Sequence, residues 1–428
     1  ENLAPLFDMV LSHVPAPKVE PGAFRMLATT LEADPYLGRI LTGRITSGSI
    51  KPNQQIRALR RDGSVVETAR ATRVLAFRGL ERQAIEIGEA GDIVALAGLA
   101  TGTVADTLCD VTVEEPIAAQ PVDPPTLAMM FRINDGPLAG REGDKVQSRV
   151  IRERLAKEAE RNIAIRVADG PDRYSFEVAG RGELQLGILI ETMRREGFEI
   201  TVSRPQVVIK KDQATGETLE PVEEVIVDVD DEFAGIVVQK LSERRGELIE
   251  MRASGGGRQR LVLLVPTRSL IGYHSELMTD ARGTAVMNRL FHSYVPYKGD
   301  IAGRNTGVMI SNGEGDAVAY ALFNLEERGA LMIGAQTKVY QGMIVGQHSR
   351  ENDLDVNVLK GKKLTNVRAA GKDENVFLSP PLKMPLERAL SYIQDDELVE
   401  VTPKSIRLRK RWLDPNERKK RARAKAAE

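Results

Sequence analysis

Cysteine is almost absent from the chain. A single Cys109 in 428 residues excludes a disulfide framework and any zinc site built on paired thiolates, and it suits a reducing, cytoplasmic setting. Histidine is scarce too: His13, His274, His292 and His348 stand apart, without metal-type spacing. His274 and His292 fall in a predicted helix and a predicted strand, where packing or surface roles are the plainer reading. Long apolar runs are missing, and stretches such as Leu261–Val265 fall far short of the roughly 20 residues that span a bilayer. No signal peptide is seen, and no membrane partner is expected. Nor does one sign of charge dominate: 60 Lys+Arg against 61 Asp+Glu leaves a net charge of −1. That excludes a uniformly basic nucleic-acid coat, though not charge segregated by region. At about 150 residues per domain the length implies roughly three domains. The chain starts at Glu1 inside the helix-like ENLAPLFDMVLSHV, so it reads as a fragment or a processed product.

Proline-rich seams divide what remains. VPAPKVEPG (Val14–Gly22) stops the opening helix, and EEPIAAQPVDPP (Glu114–Pro125) is an extended linker by composition. Gly22–Val113 reads as short β-rich runs separated by turn signals, which suggests a closed barrel. Within it Asp62-Gly63 predicts a type I′ hairpin joining Ile56–Arg60 to Val65–Ala71. The next two blocks repeat one order, βαββαβ, that of the ferredoxin-like split βαβ fold. In the first, strand Thr126–Ile133 is followed by helix Lys145–Arg161, strands Ile163–Ala168 and Tyr174–Ala179, a helix from Glu183 to its stop at Gly197, and strand Ile200–Ser203. In the second, strand Val222–Val229, helix Phe233–Arg245, a hairpin at Gly255-Gly256-Gly257, helix Arg268–Ala281 and strand Ala285–Tyr294 follow in turn. From Asp300 no simple template fits: a helix near Asp316–Arg328, a stretch Leu359–Val376 without periodicity, a helix Leu386–Ile393, a strand Leu398–Leu408 and a basic tail. The expected class is multidomain α+β.

Catalytic chemistry is searched for and not found. A P-loop needs G-x-x-x-x-G-K-[ST] so that backbone N–H groups wrap phosphates. Gly361-Lys362 and Gly371-Lys372 each lack the first glycine and the hydroxyl. Asp280-Ala281-Arg282-Gly283 has the D-x-x-G form of a GTPase switch, but nothing upstream would hold a nucleotide. Asn312-Gly313-Glu314-Gly315 lacks the third glycine of a dinucleotide turn and has Val318 there, so it reads as a helix-entry turn. The acids of Glu220–Glu232 alternate with valines, the pattern of a half-buried strand rather than a metal site. No catalytic set emerges, and the chain is expected not to be an enzyme.

The positive signals lie near the C-terminus. Lys360, Lys362, Lys363, Arg368 and Lys372 crowd a glycine-bearing stretch too long and aperiodic for an ordinary connection. Clustered cations on such backbone suit phosphate tracking, and a solvated loop is the bland alternative. The tail Lys404–Lys425 carries eleven basic residues, enough for nonspecific phosphate attraction, with a solubilising terminus as its equal rival.

Three stretches carry a resemblance. DPYLGRILTGRITSGSIKPN (Asp34–Asn53) resembles the second-domain barrel of translational GTPases. AGRGELQLGILIETMRREGFEITVSRPQV (Ala179–Val207) is similar to the third domain of elongation factor G, with Gln185 where many relatives have His. LEPVEEVIVDVDDEFAGIVVQKLSERRGELIEM (Leu219–Met251) resembles that factor's fifth domain. The two blocks follow directly, without the domain that elongation factor G inserts between them. LepA shares that omission but carries a different terminal domain. Asp300–Trp412, with GRNTGVMISNGEGDAVAYALFNLEERG and NVLKGKKLTNVRAAGKDENV, is similar to the terminal domain of the BipA/TypA family. The chain therefore resembles that family's C-terminal portion, lacking its GTPase domain.

The resemblance implies six segments: residues 1–21, a residual helix and linker; 22–115, a barrel; 126–210 and 218–299, ferredoxin-like domains; 300–412, a family-specific domain; and 413–428, a basic tail. It implies a cytoplasmic, monomeric factor that binds the ribosome (70S and 50S) between the subunits near the A site, with roles in 50S assembly and in cold and stress adaptation. Lys360, Lys362, Lys363, Arg368 and Lys372 would neutralise phosphates of 23S rRNA or A-site tRNA, with Thr365 and Asn366 adding hydrogen bonds. GTP and Mg²⁺ are expected only in the missing domain, and no cofactor in this chain. A scaffold that binds protein without RNA, or a free-standing enzyme, are the alternatives.

Overall fold

The computed structural model describes residues 2–15, 19–79, 81–120, 123–301, 303–361 and 377–425. The helices are α1 (Ala4–His13), α2 (Ser148–Arg161), α3 (Glu183–Arg195), α4 (Asp231–Glu243), α5 (Tyr273–Asp280), α6 (Ala319–Glu326), α7 (Leu386–Tyr392) and α8 (Pro415–Lys425). None is long and apolar enough to cross a membrane. The chain divides into two compact units, Glu1–Asp123 with Lys157–Ala164, and Pro124–Ala156 with Ile165–Glu428.

The first unit is built on an eight-stranded antiparallel sheet. Its order is Val65–Arg70, Gln55–Leu59, Thr107–Asp110, Arg25–Asp34, Gly38–Ser47, Ile93–Leu99, Arg73–Arg78, Glu81–Ala84. Inward residues such as Met26, Leu41, Ile45, Ile56, Val74 and Leu96 are buried together. The expected closed barrel is not found among the described residues, because the end strands Val65–Arg70 and Glu81–Ala84 do not pair. The sheet still curls. Arg73–Arg78 occupies the free edge of Ile93–Leu99, leaving the end of Val65–Arg70 to press its Arg70 carbonyl against Gly98, where a Cβ would lie 2.2 Å away.

The hairpin at Asp62-Gly63 is present, but its turn is not type I′. That turn needs positive φ at both central residues; Gly63 has φ 82° while Asp62 does not share it. Instead, the Asp62 carboxylate accepts the Ser64 N–H at 2.9 Å. In the neighbouring hairpin a Cβ on Gly43 would sit 2.1 Å from the Leu27 carbonyl oxygen, so this contact admits no side chain. Gly43→Ala is expected to lower stability by about 1–3 kcal/mol, the usual cost of overpacking, read from urea melts of variant and wild type.

The second unit holds three larger sheets. The first runs Arg166–Asp169, Ser175–Gly180, Leu127–Ile133, Ile200–Ser203, then Glu397–Val401 and Ile406–Lys410. Helices α2 and α3 supply Ile151, Leu155, Leu186, Ile190 and Met193 to its core, against Phe131, Phe176 and Val399. The expected single strand Leu398–Leu408 is thus a hairpin. Thr402 breaks it: its hydroxyl accepts the Ser405 N–H at 2.9 Å, and Pro403 follows. The pair adds to the strand Ile200–Ser203, some 200 residues earlier, as Val202↔Val399.

The second sheet orders Lys210–Lys211, Thr218–Asp230, Arg258–Pro266 and Glu247–Gly255, with Val286–Pro296 also on Thr218–Asp230. Val225, Val227 and Val229 face α4 and α5 across a core with Val237, Leu241 and Tyr273. Two acids of this strand are engaged by cations: Asp228, between valines, by Arg260 at 2.8 Å, and the fully buried Glu220 by Arg268 at 2.5 Å. The helix expected over Arg268–Ala281 is interrupted. A 3-10 turn, Thr267–Leu270, ends before Gly272, whose φ of 73° starts α5 anew. The third sheet, Gly329–Leu331, Ile344–His348, Val308–Ser311 and Leu354–Val356, closes with a parallel pair.

Two buried carboxylates mark the join between the last hairpin and its surroundings. Glu397 is fully buried and meets Arg304 at 2.9 Å and the buried Lys410 at 3.0 Å. Burial pushes its pKa up, yet Arg304 and Lys410 outweigh that and hold it below the ordinary value. Glu400, also fully buried, lies 3.3 Å from Arg409 and 3.9 Å from Arg407. Among the described residues neither of its oxygens meets a donor in good hydrogen-bond geometry. Here burial dominates and its pKa is raised.

Candidate nucleic-acid interface

The aperiodic basic stretch is flanked by two fastened ends. On the entry side Val356 and Val358 are buried. Asn312 donates its N–H to the Val356 carbonyl at 3.0 Å, and Val318 donates to that of Val358 at 2.9 Å. Leu359 then rests on the Asn312–Gly315 turn, where a Cβ on Gly313 would lie 2.9 Å from Leu359 Cδ1. That turn is a seat for Leu359, and α6 starts only at Ala319. On the exit side Leu378 packs against the same core. The Ser379 N–H donates to Glu326 at 2.7 Å and the Leu382 N–H to the Leu331 carbonyl at 2.7 Å. Lys360 is exposed just beyond the entry point. Lys362, Lys363, Thr365, Asn366, Arg368 and Lys372 lie outside the described residues.

The described basic side chains of the tail take different roles. Arg407, Arg409 and Lys410 point inward. Arg407 is bound to Glu142, Arg409 to Asp135, and Lys410 to Asp353 at 2.6 Å, Asp396 at 2.8 Å and Glu397 at 3.0 Å. Burial acts to lower the Lys410 pKa; Glu397, Asp396 and Asp353 overcome it and raise the pKa, so the ammonium stays charged. These residues are internal struts. The strand pattern of SIRLRK gave no hint of this, because the partners come from distant segments.

Lys404, Arg411, Lys419, Lys420, Arg421 and Arg423 are exposed. Four of them ride on α8, which begins where Asp414 accepts the Asn416 N–H at 3.1 Å and Pro415 opens the first turn. Arg418 turns the other way. It binds Asp355 and donates to the carbonyls of Trp412 at 3.2 Å and Leu413 at 2.6 Å. The guanidinium groups of Arg411 and Arg421 lie 5.4 Å and 5.3 Å from the centre of the Trp412 ring. Asp355 is five positions before Lys360, so the helix is fastened beside the entry to the basic stretch. Sequence reasoning missed this link; only an Asp in one segment and an Arg in another signalled it.

No GTPase chemistry fits the described residues. Among them no three His, Cys, Asp or Glu side chains cluster to hold a metal. Asp280-Ala281-Arg282-Gly283 is the end of α5, with the Gly283 N–H reaching back to the Met278 carbonyl at 2.7 Å and Asp280 bound to Lys240. No step through GTP or Mg²⁺ is derived from these residues.

Comparison with known proteins agrees with the arrangement. Residues 306–415 match the TypA/BipA C-terminal domain, 217–305 the elongation factor G C-terminus, and 38–109 elongation factor Tu domain 2. A protein of Escherichia coli K12, "Large ribosomal subunit assembly factor BipA", is 48% identical over 426 residues, 99% of this chain and 70% of its own length. Proteins of the same name from Haemophilus influenzae and Buchnera aphidicola are 47% and 46% identical, over 68% and 69% of their lengths. The family so matched is a GTPase family. That overturns the expectation that the protein is not an enzyme, which rested on where the chain begins and on the motifs it lacks. Likeness at this level, sustained along 99% of the sequence, leads to one assignment: the chain belongs to the BipA family of translational GTPases.

Proposed function

We propose that the protein acts in assembly of the large ribosomal subunit in the cytoplasm, as a monomer that docks on the ribosome. The observation that carries this reading is the name shared by relatives 46–48% identical to it, each a large ribosomal subunit assembly factor. The basic stretch 360–372 makes the RNA contact. Lys360, Lys362, Lys363, Arg368 and Lys372 neutralise phosphates of 23S rRNA, and of A-site tRNA when the factor sits between the subunits of the 70S particle; Thr365 and Asn366 add hydrogen bonds. Such contacts position the factor rather than read sequence. Fastened ends at Leu359 and Leu378 support this role, since they hold the two flanks of the basic stretch at fixed places on the fold.

Segments 126–210 and 218–299 serve as ferredoxin-like docking modules, and 22–115 as a curled, barrel-like one. The strand orders 2-3-1-4 of the first two support that reading. A role in cold and stress adaptation follows from the same assignment, since subunit assembly slows as RNA misfolds are trapped at low temperature.

Co-sedimentation with isolated 50S and 30S subunits over a salt series tests the proposal. Binding selective for 50S that weakens steeply with salt is expected. Equal binding to both subunits, or binding indifferent to salt, would count against it.

A further inference from the structure

We infer that α8 is a second, independent RNA-backbone contact, held in place near the entry to the basic stretch at Lys360 by the Arg418–Asp355 bridge. The inference rests on the large-subunit reading above and adds to it a named surface. Lys419, Lys420, Arg421 and Arg423 are all exposed on a helix whose one acid, Glu417, lies 4.0 Å from Arg421. The eleven residues of α8 span about 16 Å, long enough to face several successive phosphates.

RNA is the occupant that this chemistry favours. Outside Pro415 the helix offers no apolar side chain larger than Ala422 and Ala424, so it lacks the apolar centre of a protein–protein interface. The cations have no comparable set of acids on their own helix. The guanidinium of Arg421 over Trp412 also suits a planar, stacked contact.

Anchoring distinguishes α8 from a frayed basic end. Arg418 uses its guanidinium on Asp355 and on two backbone carbonyls, which fixes the first turn and with it the direction of the exposed face. Leu413 seats this start against Gly342, where a Cβ would lie 2.7 Å from Leu413 Cδ2. Holding four cations in register spares the ordering that a flexible tail must undergo on binding. Arg418 is a positioning residue; the four exposed cations make the contact.

The test compares the whole chain with two variants, on isolated 50S subunits and on a 20-base-pair RNA duplex of arbitrary sequence. The first variant is Lys419→Ala, Lys420→Ala, Arg421→Ala and Arg423→Ala together. With four phosphate contacts removed, the slope of log K against log salt should flatten by about 3 on both targets, since each contact contributes about 0.7–0.9. The second is Arg418→Met, which keeps all four cations but loses the anchor; affinity should fall about 3–10-fold while the salt slope holds.

Wild-type binding to 50S with an unchanged slope in the fourfold variant would overturn the inference and leave the large-subunit reading standing. Failure of the wild type to bind either target would overturn both. Wild-type affinity in Arg418→Met, at an unchanged melting temperature, would overturn the anchoring role.

Discussion

Glu397→Gln is expected to cost about 3–5 kcal/mol of stability, the usual penalty for leaving a buried charge without its partner, whereas Glu400→Gln should cost under about 1 kcal/mol. The two glutamates lie three residues apart, and both are fully buried. They differ in what faces them. Glu397 neutralises the buried ends of Arg304 and Lys410; its loss strands Arg304 and leaves Lys410 with only the more exposed Asp353 and Asp396. Arg407 and Arg409 retain Glu142 and Asp135 when Glu400 is neutralised, and among the described residues neither Glu400 oxygen gives up a hydrogen bond of good geometry.

Their pH dependences oppose one another. The folded pKa of Glu397 lies below its ordinary value of 4.5. Its contribution is therefore present above that value and is lost as pH falls through the folded pKa. Glu400 is raised above 4.5, so its contribution is present below that value and is lost as pH rises through the folded pKa. Urea melts at pH 7 and at stepwise lower pH should show less acid loss in Glu397→Gln than in wild type, and more in Glu400→Gln. Equal costs for the two substitutions at pH 7 would refute this account of the hairpin.

Lys362→Glu with Lys363→Glu should weaken 50S binding about tenfold or more at physiological salt, because two phosphate contacts are replaced by repulsion. The melting temperature should not move. The fastening at Leu359, Leu378 and Ser379 involves neither lysine. Unchanged affinity alongside an unchanged melting temperature would remove the basic stretch from the interface.

Local patterns reveal much of this architecture and little of its fastening. Alternating valines place Val225, Val227 and Val229 on the inner face of a strand, and Gly197, with φ 92°, ends α3 where a left-handed stop was expected. The failures have tertiary causes. The helix expected across Arg268–Ala281 breaks at Gly272, whose N–H is taken by Glu183, 89 positions away. The barrel stays open because a later strand fills the needed edge. The candidate interface shows the same division. Basic residues at 360 and 418–423 are visible in the sequence, but nothing local says that Arg407, Arg409 and Lys410 serve as struts, nor that Arg418 ties α8 to Asp355. Those assignments depend on acids that only folding brings near.

Hydroxyl-radical footprinting of 23S rRNA in isolated 50S subunits, with and without the protein, tests the central claim most directly. The account predicts discrete backbone protections, one set lost with the Lys362/Lys363 reversal and a separate set lost with the fourfold α8 variant. Protections that neither variant alters, or a footprint with no change in 23S rRNA at saturating protein, would contradict it.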